Sequence, residues 1–265
     1  MNIAKLEDFY RNKVVLLTGA TGGIGRALSI ELAKFYPRLM LLSRNVQQLK
    51  SITAAIEETT EVDYLECDVR DSENIKSAVV DTVKKWRRID IAILCAGIDI
   101  FNTIDSFSAE SYRIILATNF LQAVDFFDNL LHVFRNQGEG RIVAISSLVD
   151  SMGLPFCGAY TAGKAALSRF LESVRTELRL SGIGVTIIRP GFVDTPMTKM
   201  NNFKMPLLMT PEIAAKKIAM AIYRERNKVS FPFFSSLGLS AAEMLPGPIL
   251  DYICWRYYLK MKAMA

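Results

Sequence analysis

Short apolar runs alternate with longer amphipathic stretches along most of this chain, and that alternation restricts its fold more than any other feature. The runs at 13–18, 38–43, 63–67, 89–95, 141–147 and 184–189 have strand length, and most are nearly continuous in apolar residues. Between them, 25–35, 46–58, 72–86, 109–135 and 159–180 carry helical periodicity. A strand that is apolar on both faces needs cover on both faces, which a parallel sheet with crossover helices supplies. Right-handed crossovers then leave a doubly wound α/β sheet as the expected architecture. With 265 residues, of which 51% are apolar, one domain can bury a large core. The expectation is a single domain over 1–265, with a core at about 10–200 and a lid and C-terminal extension at about 195–265.

Beyond Pro190-Gly191 the pattern changes. Met197, Met200, Met205 and Met209 punctuate a segment holding Asn201, Asn202 and Pro206, which predicts an irregular, apolar lid. A helix over 211–224 follows, with Thr210 as N-cap and Pro211 in the first turn. The stretch 229–234 has strand character, but Pro232 confines it to a sheet edge. The segment 245–259 mixes apolar, aromatic and basic residues, in the manner of an interfacial membrane contact. A helix docked over the pocket or a subunit interface would have the same composition.

Several functional classes are disfavoured. Cys67, Cys95, Cys157 and Cys254 are scattered without a Cys-x-x-Cys pair, and His132 is the only histidine. No metal site or disulfide framework is expected, and a cytoplasmic, reducing environment fits, with membrane association as a further possibility. His132 reads as a helix-surface residue. The N-terminal residues carry acids and lack a signal-like apolar run, and no uncharged run approaches the ~20 residues of a bilayer span. A net charge of +5 without a dense basic tract gives no reason to expect a nucleic-acid partner.

A glycine-rich turn joins the first strand to the first long helix: Thr18-Gly19-Ala20-Thr21-Gly22-Gly23-Ile24-Gly25. In that strand–turn–helix context glycines let a pyrophosphate approach the backbone while the helix N-terminus attracts it, which predicts a Rossmann-type dinucleotide site. An NAD site usually has an acid at the end of the second strand. Here the residues are Ser43-Arg44. A guanidinium pairs bidentately with phosphate, so NADP(H) is the expected cofactor. Asp68-Val69, after the third strand, are placed to face the adenine edge.

Tyr160 and Lys164 are four positions apart on a predicted helix and share one face. Bringing a phenol from a pKa of about 10 to about 7 takes about 4 kcal/mol of differential stabilisation, and a nearby cation in a dry cleft acts in that direction. Ser147 lies thirteen positions upstream of Tyr160.

Together these motifs resemble the short-chain dehydrogenase/reductase family over about residues 10–200. The resemblance implies that Tyr160 is the general acid in reduction and the base in oxidation. It makes Lys164 the residue that lowers the tyrosine pKa and holds the nicotinamide ribose. Ser147 would bind the substrate oxygen, and Asn119 would position water beside Lys164. Ser146 is the neighbouring serine, but strand alternation and the family spacing select Ser147. The resemblance also implies cofactor contacts along Ala96-Gly97 and, at the nicotinamide end, from Pro190, Gly191, Val193 and Thr195. The helices 109–135 and 159–180 resemble the pair through which the family often forms homodimers or homotetramers. Two positions depart from the pattern. Cys95 stands where the family often has an asparagine, which predicts the loss of a sheet-bracing hydrogen bond. Gly163 replaces a small hydroxyl residue at a helix-propensity cost of roughly 1 kcal/mol.

The pocket walls after Ser147 and Thr195 are expected from Leu148, Val149, Leu154, Phe156, Cys157, Met197, Met200, Phe203 and Met205. Their character suits a hydrophobic carbonyl or alcohol, although the same residues would equally pack a lid onto the body. A non-catalytic dinucleotide sensor is the competing class. It would keep the glycine turn and have no reason to keep Asn119, Ser147, Tyr160 and Lys164 together.

Overall fold

The computed structural model describes residues 3–101, 103–200 and 205–262. Seven parallel strands form one sheet: β1 (Val14–Thr18), β2 (Arg38–Ser43), β3 (Val62–Glu66), β4 (Ile91–Leu94), β5 (Gly140–Ile145), β6 (Ile183–Pro190) and β7 (Lys228–Phe231). Their order is β3-β2-β1-β4-β5-β6-β7. Strand order reverses at β1 and β4, and ligands of such sheets bind at the carboxyl ends beside that switch point.

The connecting helices are α1 (Ile3–Tyr10), α2 (Gly23–Ala33), α3 (Val46–Ile56), α4 (Ser72–Trp86), α5 (Ala109–Leu116), α6 (Gln122–Gln137), α7 (Gly158–Glu177) and α8 (Pro211–Tyr223). Alternate residues of each strand point to opposite faces. Val15, Leu17, Leu39 and Leu41 therefore pack with α2, α3 and α8, while Leu16, Met40, Leu42 and Ala92 pack with α4, α6 and α7. Burying each of these leucines contributes about 1.5–3 kcal/mol. The continuous helical segment Ala109–Gln137 is long and apolar enough to cross a membrane, but Phe126, Leu130 and Phe134 commit one face of it to the core.

Four features differ from or add to the sequence expectations. Helix α1 was not anticipated; Leu6 and Tyr10 bury against the body, and the Tyr10 hydroxyl donates to the Ala219 carbonyl at 2.8 Å. The segment joining α5 to α6 is a π-turn, Ala117–Leu121, rather than uninterrupted α-helix. β7 stops at Phe231, because Pro232 cannot extend a ladder, and it occupies the sheet edge. The end of the expected lid belongs to the core: Met209 is buried, forms a bridge with Val193 and donates its N–H to Phe192 at 3.1 Å. Asn201, Asn202 and Phe203 lie outside the described residues. Two further helices, α9 (Phe233–Glu243) and α10 (Gly247–Lys262), make up the C-terminal extension.

Candidate active site

The glycine turn brings the ends of β1 and β4 into contact. Gly19 has φ +64°, and a Cβ there would lie 2.7 Å from the Ala96 Cα, so both the turn and the close approach require glycine. Gly22, the N-cap of α2, offers no side-chain hydrogen bond to the helix. The first-turn amides are thus left to an external acceptor, as suits a bound pyrophosphate. Gly23 faces Thr195 so closely that a Cβ would come within 2.5 Å of its Cγ2, which sets the 190–195 segment over the turn. Gly25 packs on the Gly19 carbonyl, and Ile24 packs on the core. These features fit a dinucleotide.

At the end of β2, the Ser43 and Thr21 hydroxyls are 2.6 Å apart. Arg44 is exposed and has no ion pair among the described residues, while its charge helps to lower the Asp68 pKa. Asp68 mainly engages Arg70, whose side chain holds the carboxyl down to about 2 through hydrogen bonds. Val69 is buried. A cleft of about 440 Å³ on the α2–α3 side of the turn is lined by Thr21, Gly23, Arg26, Gln48, Ser51 and Asp194 among others. Ser147, Tyr160 and Lys164 take no part in it.

Two sequence expectations are corrected here. Thr18 is fully buried, and its hydroxyl accepts from the Cys95 and Ala96 N–H groups at 3.0 and 3.1 Å. Its side chain therefore braces the sheet instead of facing a cofactor. The same bonds tie β1 to the end of β4, the bracing that the missing asparagine had put in doubt. Cys95 itself is held neutral by burial, which pushes its thiol up to about 12.

Tyr160 and Lys164 lie on the first turns of α7, and Ser147 caps the short 3₁₀ turn Leu148–Ser151 after β5. Ser147 hydrogen-bonds the Tyr160 hydroxyl. The Lys164 ammonium lies 5.8 Å from the Tyr160 ring centroid and donates to the Ile145 carbonyl at 2.8 Å. Burial lowers Lys164 to about 8. Burial also raises the Tyr160 pKa; the Ser147 hydrogen bond opposes this, and the charge of Asp99 adds to it. The expectation of a phenol pulled down by lysine is thus reversed in this state. Desolvation outweighs a cation that is itself desolvated and committed to a backbone carbonyl.

Asn119 sits in the π-turn, fully buried, and pairs with both backbone groups of Ile98. Its Oδ1 accepts from the Ile98 N–H and its Nδ2 donates to the Ile98 carbonyl, each at 2.8 Å. A Cβ built on Gly97 would lie 3.1 Å from Lys164 Nζ and 3.2 Å from Asn119 Oδ1, so these residues converge at one point. Gly163 has a reason that its helix cost concealed: a Cβ there would press on the Asn119 Cβ at 3.1 Å. Glycine lets α7 close onto the π-turn. Of the remaining expected contacts, Pro190 ends β6, the Gly191 N–H donates to Phe231 at 2.7 Å, and Val193 is buried.

Sequence reasoning missed the polar cluster behind these groups. Arg189 and Asp150 are buried, and Arg189 Nε donates to Asp150 Oδ1 at 2.8 Å. The other carboxylate oxygen, Asp150 Oδ2, accepts from Ser146 at 3.1 Å and Ser168 at 2.5 Å. Ser146 also bonds the Lys164 carbonyl at 3.2 Å. The cluster ties β6, α7 and the turn carrying Ser147 together, and it shows Ser146 facing away from Tyr160. Its sequence signal was Arg189, a charge at the end of a buried strand that needs a partner. Asp99 was missed as well. Its Oδ1 is buried without a hydrogen-bond partner among the described residues, and burial raises its pKa.

On the substrate side, Leu148 is buried, and Phe156 stacks between Phe101 at 5.1 Å and Tyr258 of α10 at 5.3 Å. Burial pushes the Cys157 thiol up to about 12, which leaves it an apolar wall residue and no nucleophile. His132 is exposed on α6. No cluster suited to a metal ion occurs among the described residues.

A family model described as short chain dehydrogenase matches residues 13–205. An uncharacterized oxidoreductase of Myxococcus xanthus is 32% identical over 240 residues, covering 90% of this chain and 95% of its own. The ketoacyl reductase HetN of Nostoc is 30% identical over 82% of this chain and 77% of its own, and a 3beta-hydroxysteroid dehydrogenase of Mediterraneibacter gnavus is 29% identical over 78% and 75%. Among solved structures, levodione reductase superimposes with a TM-score of 0.78 at 24% identity, covering 86% of this chain and 99% of that one. An alcohol dehydrogenase from the archaeon Thermococcus sibiricus, complexed with 5-hydroxy-NADP, gives 0.76 at 22% identity over 83% and 96%.

Proposed function

The chain belongs to the short-chain dehydrogenase family, and from that premise we propose that it is an NADP(H)-dependent oxidoreductase interconverting a ketone and a secondary alcohol on a hydrophobic substrate. The observation that carries this reading is the convergence of Ser147, Tyr160, Lys164 and Asn119 beside the glycine turn. In reduction the Ser147 hydroxyl orients the substrate oxygen and Tyr160 protonates it; in oxidation Tyr160 takes that proton back. Lys164 holds positive charge next to the phenol, and Asn119 fixes the backbone at Ile98 that frames the lysine. A dinucleotide bound at the Gly19–Gly25 turn would supply the hydride in reduction and accept it in oxidation. Steady-state turnover of a ketone panel with NADPH tests the proposal. Tight NADPH binding with no turnover on any ketone would favour the sensor reading.

Arg44 supports the choice of phosphate-bearing cofactor, since it is exposed beside the Thr21–Ser43 pair with no acid bound to it. Arg44→Ala should weaken NADPH binding by about 1.5–3 kcal/mol, the range for hydrogen bonds to charged groups, and leave NADH binding nearly unchanged. Titration calorimetry with both cofactors decides the point. Equal losses would show that Arg44 does not read the 2′-phosphate.

The apolar substrate is supported by the walls Leu148, Phe156 and Cys157 and by two relatives whose names refer to ketoacyl and hydroxysteroid compounds. Each added methylene in a series of alkyl ketones should raise kcat/KM by about 0.8 kcal/mol, nearly fourfold, until the pocket is full. A preference for small charged carbonyls would remove this part of the proposal.

A further inference from the structure

None of the described side chains of α9 or α10 is fully buried, although both helices are rich in apolar residues. Residues 233–242 carry no charge at all. Phe234 is 76% exposed, Met244 87% and Trp255 54%, and Leu237 and Tyr252 are also exposed. This surface continues into the body of the molecule. Trp255 stacks on Tyr258 at 5.5 Å, Tyr258 on Phe156 at 5.3 Å, and Phe156 on Phe101 at 5.1 Å. Phe101 lies in the loop after β4, where Ile104 is 87% exposed. Phe156 is four residues before Tyr160. One aromatic ladder thus runs from the wall of the candidate active site to the exposed tail.

The charges near the outer end of this ladder point to its occupant. Residues 252–262 of α10 expose Arg256, Lys260 and Lys262 and hold no acid, while the acids of these elements lie elsewhere: Asp99 and Asp105 in the loop after β4, Glu243 at the end of α9 and Asp251 early in α10. Tryptophan and tyrosine beside basic residues around an uncharged apolar helix match the interfacial zone of a bilayer. We propose that α9, α10 and the loop after β4 dock on an anionic lipid surface and turn the mouth of the active site toward the acyl chains. An apolar ketone would then enter from the bilayer without crossing water. This inference rests on the apolar-substrate reading above.

The test is vesicle flotation of the full chain with phosphatidylcholine alone and with added phosphatidylserine. It is run alongside size-exclusion chromatography and turnover of a short, water-soluble ketone. The variants are Phe234→Asp/Met244→Asp and Lys260→Glu/Lys262→Glu. The unmodified chain should float with the anionic vesicles and much less with neutral ones. Each basic residue near an anionic surface changes partitioning about fivefold, so reversing two of them should reduce flotation at least about tenfold. Both variants should turn over the soluble ketone normally. A chain that stays in solution with either vesicle overturns the proposal, as does a tail substitution that converts a dimer to a monomer. Absence of soluble-ketone turnover in the unmodified chain would instead count against the proposed reaction, because flotation is read independently of it.

Discussion

Tyr160→Phe should lower kcat by at least the ~10²–10⁴ contributed by a general acid and leave NADPH affinity nearly intact. The substitution keeps the ring that packs beneath the Lys164 ammonium and removes only the hydroxyl bonded to Ser147. Lys164→Met should reduce both turnover and cofactor affinity, since on the family pattern the lysine serves the phenol and the ribose. The pH profile adds a sign. Burial lowers Lys164 to about 8, so the ammonium is present below that pH and discharges above it. Reduction should therefore be level below about pH 8 and fall above it, as the cation beside the phenol is lost. In Lys164→Met that limb should disappear along with most of the rate. Near-normal kcat in the phenylalanine variant would remove Tyr160 from the mechanism, and a limb that survives the methionine variant would belong to another group.

Asp150→Ala should destabilise the protein by about 3–5 kcal/mol, the cost of leaving one partner of a buried ion pair uncompensated. Arg189 would remain buried, bonded otherwise, among the described residues, to the Leu148 carbonyl and the Ser230 hydroxyl, at 3.4 Å each. Ser146 and Ser168 would lose a shared acceptor. Because the cluster holds the turn that carries Ser147, kcat should fall more than KM changes in whatever fraction still folds. The double variant Asp150→Leu/Arg189→Met removes both charges and should lose much less stability than the single one. Urea unfolding of the singles and the double measures the coupling. A single-variant loss of ~0–1 kcal/mol, the value of an exposed pair, would contradict the burial argument.

The sheet was legible because its strands are buried on both faces, so each left a short apolar run between helical patterns. The glycine turn and the Tyr160–Lys164 pair were legible because their function depends on local spacing. What escaped detection depends on contacts between distant segments. Asp150 and Arg189 meet across 39 positions, and nothing local to either names the other. Thr18 takes over from a missing asparagine 77 positions away, so the substitution at Cys95 looked like a loss. The π-turn holding Asn119 has no distinctive composition, since Ala117–Leu121 would serve equally well in an α-helix. The direction of the Tyr160 shift was misjudged for a related reason. Sequence shows which charge is nearby but not how much solvent has been removed from both groups.

The division of labour between sheet and loops has a bearing on how such a protein diversifies. Ser147, Lys164 and the ionic knot behind them are anchored to β5, β6 and α7, where a change in one side chain disturbs several others. The walls assigned to the proposed substrate come from the loop after β4, the 152–157 segment and the Tyr258 ring, and these touch mainly through stacked rings. Ring contacts tolerate exchange of one apolar residue for another far better than a buried carboxylate tolerates loss of its arginine. On the proposed reaction, substrate range would therefore drift by accumulated changes in one periphery while Ser147, Tyr160 and Lys164 stay fixed, and a library confined to those walls should yield new selectivities on an unchanged reaction.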